Sequence, residues 1–358
     1  MADTLPPKRL VTVADVARAA QVSKATAARA LGGYGTVSEA LKQRIVETAE
    51  RLDYRPNELA RTMATGRSLT IGAVVGDIEN PFFGLLVRGI TDSAKALGFG
   101  VILANSGEDV AEERTAVAML MAKRVDGLIV APASMRDGAH LRDAQARGLP
   151  LVFVDREVEG LEVDAALVDD GAAARRATRL LVAAGHRRIA YLTATDAPEA
   201  RFRDLSQIVL TTVLGRLSGF LDAAAAAGLE APERFVRLNA GAPRAAQAIL
   251  AELLTGADRP TAILASDSKI ALEVFRAART LGLAIPRDLS LVTFDDAEWT
   301  SALSPAVTVL AQPSYDLGGE AMRMLAERIE GRREVRRRVF DTPLIERESV
   351  APPPILAP

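Results

Sequence analysis

The sequence predicts an α/β protein: a small N-terminal three-helix head with a helix-turn-helix, followed by two lobes of doubly wound parallel sheet. Three observations carry this. Between residues 69 and 350, short continuous apolar runs alternate with longer helical patterns, as in parallel strands covered on both faces. Those runs fall into two sets, which suggests two Rossmann-like lobes with a cleft at the C-terminal ends of their strands. The first 68 residues differ, with short capped helices and 11 Lys/Arg against 7 Asp/Glu, whereas the remainder holds 33 against 39. A basic head on an acidic body fits a head that meets a polyanion; an imbalance of this size is also compatible with chance.

Composition narrows the function classes. Of the 358 residues, 49% are hydrophobic and 25% charged, ordinary globular values that exclude disorder as the main state. Cysteine is absent, so disulfides, cysteine-zinc sites, iron–sulfur clusters and thiol nucleophiles are excluded. With His140 and His186 as the only histidines, a histidine-rich metal site or a Ser-His-Asp triad lacks material. The N-terminus has no apolar stretch of signal-peptide length, and no run of 18 apolar residues occurs elsewhere. The expectation is a cytoplasmic protein with no membrane span, no metal and no cofactor.

In the head, Val13, Val16, Ala17 and Ala20 recur at helical spacing, with Thr12 in N-cap position. After Gln21-Val22, Ser23 caps a second helix, Lys24 to Leu31, which Gly32-Gly33 ends. A third helix, Glu39 to Leu52, presents Leu41, Ile45, Ala49 and Leu52 inward and takes Ser38 as its cap. In the second helix Ala27 and Leu31 face the other helices, while Lys24, Ala25, Ala28 and Arg29 face out. In a DNA-binding module that outer face enters the major groove. Arg29 would grip a guanine edge, Lys24 a base or phosphate, and Ala25 a thymine methyl. The competing reading is a three-helix bundle with a solvated basic face.

In the body, strands are expected at Ile71–Val75, Val101–Ala104, Gly127–Val130 and Leu151–Val154, then at Ile189–Thr193, Ala262–Ala265 and Leu289–Phe294. Helices are expected near 83–97, 110–123, 137–147, 171–184, 216–227, 243–255, 268–281 and 314–330.

Residues 11–68 resemble the head of the LacI/GalR family of bacterial repressors, without gaps and including the characteristic Tyr54-Arg55-Pro56-Asn57 and Ala60-Arg61. Further landmarks are Asp77-Ile78-Glu79-Asn80-Pro81-Phe82-Phe83, Val154-Asp155-Arg156, Gly185-His186-Arg187-Arg188-Ile189 and Phe294-Asp295-Asp296. The resemblance implies a periplasmic-binding-protein-like core. It implies a head at 1–56, a hinge helix and linker at 57–68, a core at 69–350 and a tail at 351–358. The first lobe would be about 69–164 with 311–335, the second about 165–310 with 336–350. It also implies a hinge helix that folds only when two copies pack on DNA, with Met63 as an apolar wedge between base steps; the alternative is a linker residue. The DNA-facing set is then Thr12, Ser23, Lys24, Ala25, Thr26, Arg29, Asn57, Ala60 and Met63. The chain departs from the family at Gln21, usually Gly, at Ala28, usually Ser, and at Gly32, usually Asn.

A polar effector needs charged forks for hydroxyls and an apolar wall for ring faces. Strand C-termini supply Phe82, Phe83, Asp155, Arg156 and Asp295, and the resemblance adds Arg216 and Ser266. Each has a plainer reading: Phe82 and Phe83 as core aromatics, Asp155 and Asp295 as caps, Arg156 as the partner of Asp155. For Asp267 capping is the favoured role, for His186 a structural one, and the Arg332–Arg338 cluster reads as a solvated edge. Ser266 stands where the family often has Asn, Thr293 where it usually has Gly, and 196–214 is longer than the usual spacing. The expected function is a homodimeric, ligand-responsive repressor of a double-stranded DNA operator, with a sugar or sugar derivative as effector. A non-sugar effector is the alternative. A Rossmann enzyme would need G-x-G-x-x-G after the first strand, and Gly72–Gly76 does not fit. A transporter's solute-binding module would need an export signal and no basic head. The prolines at 352–354 exclude a continuous heptad helix there, so no tetramer of that kind is expected.

Overall fold

The computed structural model describes residues 11–32, 35–54, 66–195 and 199–354. It divides into two compact units, Met1–Thr70 and Ile71–Pro358. The hinge residues Asn57, Ala60 and Met63 lie outside the described residues.

The first unit is built on α1 (Val13–Ala19), α2 (Lys24–Gly32) and α3 (Glu39–Arg51). Thr12 and Asp15 form a reciprocal capping box that satisfies two amides left open at the start of α1. The Ser23 hydroxyl accepts the Thr26 amide at 3.0 Å and so caps α2 as expected. Ser38 stands at the N-cap of α3, but its hydroxyl accepts no capping bond, which corrects the expectation; its carbonyl alone takes the Lys42 amide. Val16, Ala17, Ala20, Ala27, Ala30, Ile45 and Ala49 form the head core, with Leu31, Leu41 and Leu52 at its margin. Ala30 rather than Leu31 is thus the second inward anchor of α2. Small residues at the crossing let three short helices approach closely enough to bury a common core.

The second unit contains two six-stranded sheets. The first has the order β11 (Arg337–Phe340), β5 (Asp164–Val168), β4 (Leu151–Val154), β3 (Gly127–Val130), β1 (Thr70–Val75), β2 (Gly100–Asn105). The second has the order β12 (Leu344–Ile345), β10 (Thr308–Leu310), β9 (Ser290–Phe294), β8 (Ala262–Ala265), β6 (Ile189–Leu192), β7 (Val236–Arg237). The pairing is parallel along β1–β3–β4–β5–β11 and β7–β6–β8–β9–β10, and antiparallel where β12 joins β10.

Two expected boundaries move. Residues 165–168 and 337–340 belong to the first sheet, not to the second lobe. The cause is the ladder itself: β5 pairs Asp164, Ala165 and Ala166 with Val152, Phe153 and Val154, and β11 then covers the open edge of β5. The Arg332–Arg338 cluster is also less solvated than expected. Arg328 and Arg332 reach the fully buried Asp164 at 2.8 and 2.6 Å, while Arg337 and Arg338 stay exposed.

One crossing recurs in both lobes. In the first, the helices Pro81–Ala96 and Ser314–Ile329 meet at Gly89 and Gly318; a Cβ there would lie 2.0 Å from the Tyr315 and Leu86 carbonyl oxygens. In the second, Asp170–Ala183 and Thr211–Ala226 meet at Gly219, where a Cβ would lie 2.3 Å from the Gly171 carbonyl oxygen. No described helix is long and apolar enough to cross a membrane.

Candidate functional site

In each sheet the strand order reverses beside the first strand, between β1 and β3 and between β6 and β8. At such switch points the loops leave in opposite directions and open a crevice at the strand C-termini. Here the two crevices face one cavity of about 470 Å³. Phe82, Phe83, Asp155, Arg156, Arg216, Ser266 and Asp295 all line it, which brings the seven expected effector residues into one place.

Asp155 and Asp295 occupy equivalent positions, each directly after a strand. Both hold left-handed backbone, φ 68° and 70°, a conformation in which Asp is among the better-tolerated residues. The amide of Asp155 donates to the Ala166 carbonyl at 2.9 Å, and that of Asp295 to the Leu310 carbonyl at 3.0 Å. These bonds to the neighbouring strand fix both carboxylates at the cavity; neither residue caps a helix. Burial raises the Asp155 pKa despite Arg156 and Arg216, and raises that of Asp295 to about 6.

Arg216 is the hub of the second lobe. Its Nε donates to Asp170 at 2.5 Å, and its two terminal nitrogens donate to the Ser266 carbonyl at 2.7 Å and to Gln312 at 3.2 Å. Its guanidinium lies 4.1 Å from the Phe294 ring centroid, a cation–π contact. Gln312 in turn donates to Asp295 at 2.6 Å. The glycine crossing makes this possible: Gly215 would place a Cβ 3.1 Å from that of Asp170, so the next residue meets the start of the facing helix. Burial still raises the Asp170 pKa to about 7, against the pull of Arg216. Both guanidinium groups, Arg156 and Arg216, are held more firmly charged by their carboxylate neighbours.

In the first lobe Arg156 grips both oxygens of Glu108, the longer contact at 2.9 Å, and lies 3.2 Å from Asp155. Arg156 therefore pairs mainly with Glu108, a partner 48 residues away in the chain. Phe82 and Phe83 meet edge to face at 5.1 Å. They belong to the first lobe's apolar core as well as to the cavity wall, so both readings of them hold. Asp267 caps the helix Ser268–Thr280 by accepting the Ile270 amide at 2.9 Å and also lines the cavity. His186 is fully buried and structural, bonded to Thr261, Ser290 and the Ala351 carbonyl at 2.8 to 3.0 Å.

Asp170, Glu108 and Gln312 were not legible as site residues in the sequence. A second polar layer is formed by Glu113, which accepts the Ala133 amide of the wall at 2.7 Å and meets His140 at 2.8 Å. No group of histidines and carboxylates suited to a metal ion occurs among the described residues.

On the head, Thr12, Ser23, Lys24, Ala25 and Arg29 are exposed and Thr26 and Ala28 partly so. The Arg29 Nε rests on the Ala25 carbonyl at 3.3 Å. The outer face of α2 is thus open along the residues expected to read DNA.

A helix-turn-helix head and a two-lobed core with a polar cavity define the class of effector-controlled DNA-binding regulators. Residues 12–57 match the bacterial regulatory proteins of the lacI family, and residues 178–350 match the periplasmic binding protein-like domain. Catabolite control protein A of Priestia megaterium is 30% identical over 318 residues, covering 88% of this chain and 92% of that protein. The chain belongs to the LacI family and is a DNA-binding transcriptional regulator with an effector-binding core. Two solved structures are similar in fold and sequence. The regulator CelR with cellobiose is 28% identical at TM-score 0.69, covering 95% of this chain and 99% of that one. A LacI family regulator from Enterococcus faecium with bound ribose is 27% identical at TM-score 0.67, covering 79% and 99%.

Proposed function

We propose that the protein is a homodimeric cytoplasmic repressor whose operator affinity is set by a small carbohydrate-like effector held between the lobes. The carrying observation is the convergence of the seven effector residues on one cavity shared by both sheets. Asp155 and Asp295 accept hydroxyl donors, Arg216 positions the Ser266 strand end and Gln312, and Phe82 or Phe83 covers an apolar ring face. The sugars seen with the two similar structures support a carbohydrate class. The relatives are regulators, so this reading assigns the cavity to binding and not to catalysis. A dimer supplies two heads for a symmetric operator, the hinge residues Asn57, Ala60 and Met63 face the DNA, and Met63 acts as the wedge in the minor groove.

The test is operator binding. Arg29→Ala weakens specific binding by about 1–3 kcal/mol and relaxes preference at one base per half-site. Retention of full affinity and selectivity would remove Arg29 from the recognition surface.

A further inference from the structure

The end of the long segment that precedes the helix Thr211–Ala226, residues 208–210, is part of the cavity wall, whereas residues 203–206 before it lie at the surface. Asp204 and Gln207 form a capping box around the short turn Leu205–Gln207, which gives the segment a fixed local shape. Ile208 then turns inward, fully buried in the second lobe's apolar core, and lines the cavity with Val209, Leu210 and Val213. From the other side the first lobe holds the same segment. The Met135 amide donates to the Val209 carbonyl at 2.7 Å, and Arg136 donates to the Ser206 carbonyl at 3.0 Å. The segment is therefore a strap, rooted in one lobe and fastened to the other, with an apolar inner face.

The charged part of the wall faces a different chemistry. Three cationic side chains line the cavity, and each has a carboxylate partner: Arg216 on Asp170, Arg156 on Glu108, and Lys269 on Asp77 at 2.8 Å. Five carboxylates line it, Asp77, Glu108, Asp155, Asp267 and Asp295. One oxygen of the buried Asp155 has no hydrogen-bond partner. An anionic ligand would enter a site of excess negative charge and would have to break an existing ion pair to find a cation, at the cost of stranding a buried carboxylate.

We propose that the effector carries no anionic group, that it places hydroxyl or amine donors on Asp155 and Asp295, and that it bears an apolar substituent which the strap selects through Val209 and Leu210. This rests on the carbohydrate reading above and narrows it to neutral or amine-bearing glycosides with an apolar aglycone. The apolar strap supplies binding energy that a bare sugar does not use.

The experiment uses the full chain and titration calorimetry with three probe sets built on the same pentoses and hexoses: free sugars, their para-nitrophenyl glycosides and their phosphates. At least one nitrophenyl glycoside binds roughly tenfold more tightly than its free sugar, as burial of an aromatic ring on apolar side chains provides, and the phosphates do not bind. Val209→Thr, nearly the same shape but polar, lowers that preference several-fold, and Val209→Ile preserves it. Free sugars binding as tightly as the glycosides, phosphates binding best, or an unchanged preference in Val209→Thr each overturns this inference while leaving the carbohydrate reading intact. Binding of nothing in the panel overturns both.

Discussion

Asp295 shows how much of the site resides in single residues. Its backbone sits in a conformation that most side chains avoid, and its carboxyl is buried beside Arg216 and Gln312. A ligand hydroxyl donates more strongly to the ionised form than to the carboxylic acid, whose carbonyl oxygen still accepts. With the Asp295 pKa at about 6, effector affinity falls as pH drops through that value and the carboxylate is protonated. Calorimetry across pH 5 to 8 checks the slope, and Asp295→Asn flattens it. The sign is opposite for stability. A carboxyl with a raised folded pKa favours the fold most below its unfolded value of about 4 and loses that contribution as pH rises toward 6. For Asp170 the loss extends to about 7. Gln21 is a second residue-scale strain, at φ 55° where the family usually has glycine. Gln21→Gly stabilises the head by about 0.5–1 kcal/mol, since the roughly 1–2 kcal/mol steric cost is partly offset by glycine's freedom in the unfolded chain. Slower exchange of the Val22 amide, which is bonded to the Ala17 carbonyl, would report it. The seven effector residues were legible because they stand at strand ends or match family landmarks. Asp170, Glu108 and Gln312 were not, because each is bound to the site through an arginine 46, 48 or 96 positions away in the chain.

At the scale of elements, glycine crossings decide where side chains meet. Gly219 lets the helix Thr211–Ala226 touch the backbone of its neighbour, and that contact delivers Arg216 to Asp170. Gly219→Ala forces the helices apart and lowers stability by about 1–3 kcal/mol, as overpacking of tight contacts does. It also weakens effector binding, because Arg216 is displaced from Ser266 and Gln312. Chemical denaturation and calorimetry read the two effects separately; a loss of stability with unchanged binding would show that Arg216 tolerates the shift. His186 adds an opposite pH dependence. Burial lowers its pKa, so its contribution is present above about 6.5 and is lost as pH falls through the lowered value. Continuous apolar strands such as Leu151–Val154 were readable from the sequence. β5 was missed because it opens on an aspartate and is rich in alanine, whereas the strand expected near 337–349 was assigned to the wrong lobe, since β11 pairs with β5. Their places are set by pairing with a neighbour, which local pattern does not encode.

Across the whole molecule, ties between the lobes include the strap and the Lys269–Asp77 pair, both beside the cavity. An effector that prefers this arrangement of the lobes shifts the balance among arrangements, and operator affinity follows by about 5–150-fold, the usual range for coupled sites. Operator titrations with and without effector measure it, and Lys269→Met alters the response by removing one tie; equal operator affinity in both states would leave the cavity without a regulatory role.

The paired aspartates have a consequence for pharmacology. Each carboxylate belongs to a different sheet, so on the proposed reading the pocket would work like a caliper that a molecule must span to be felt. A fragment that reaches Asp295 but not Asp155 would then gain affinity from one jaw without biasing the spacing between them, and would compete with the natural effector without its effect on operator affinity.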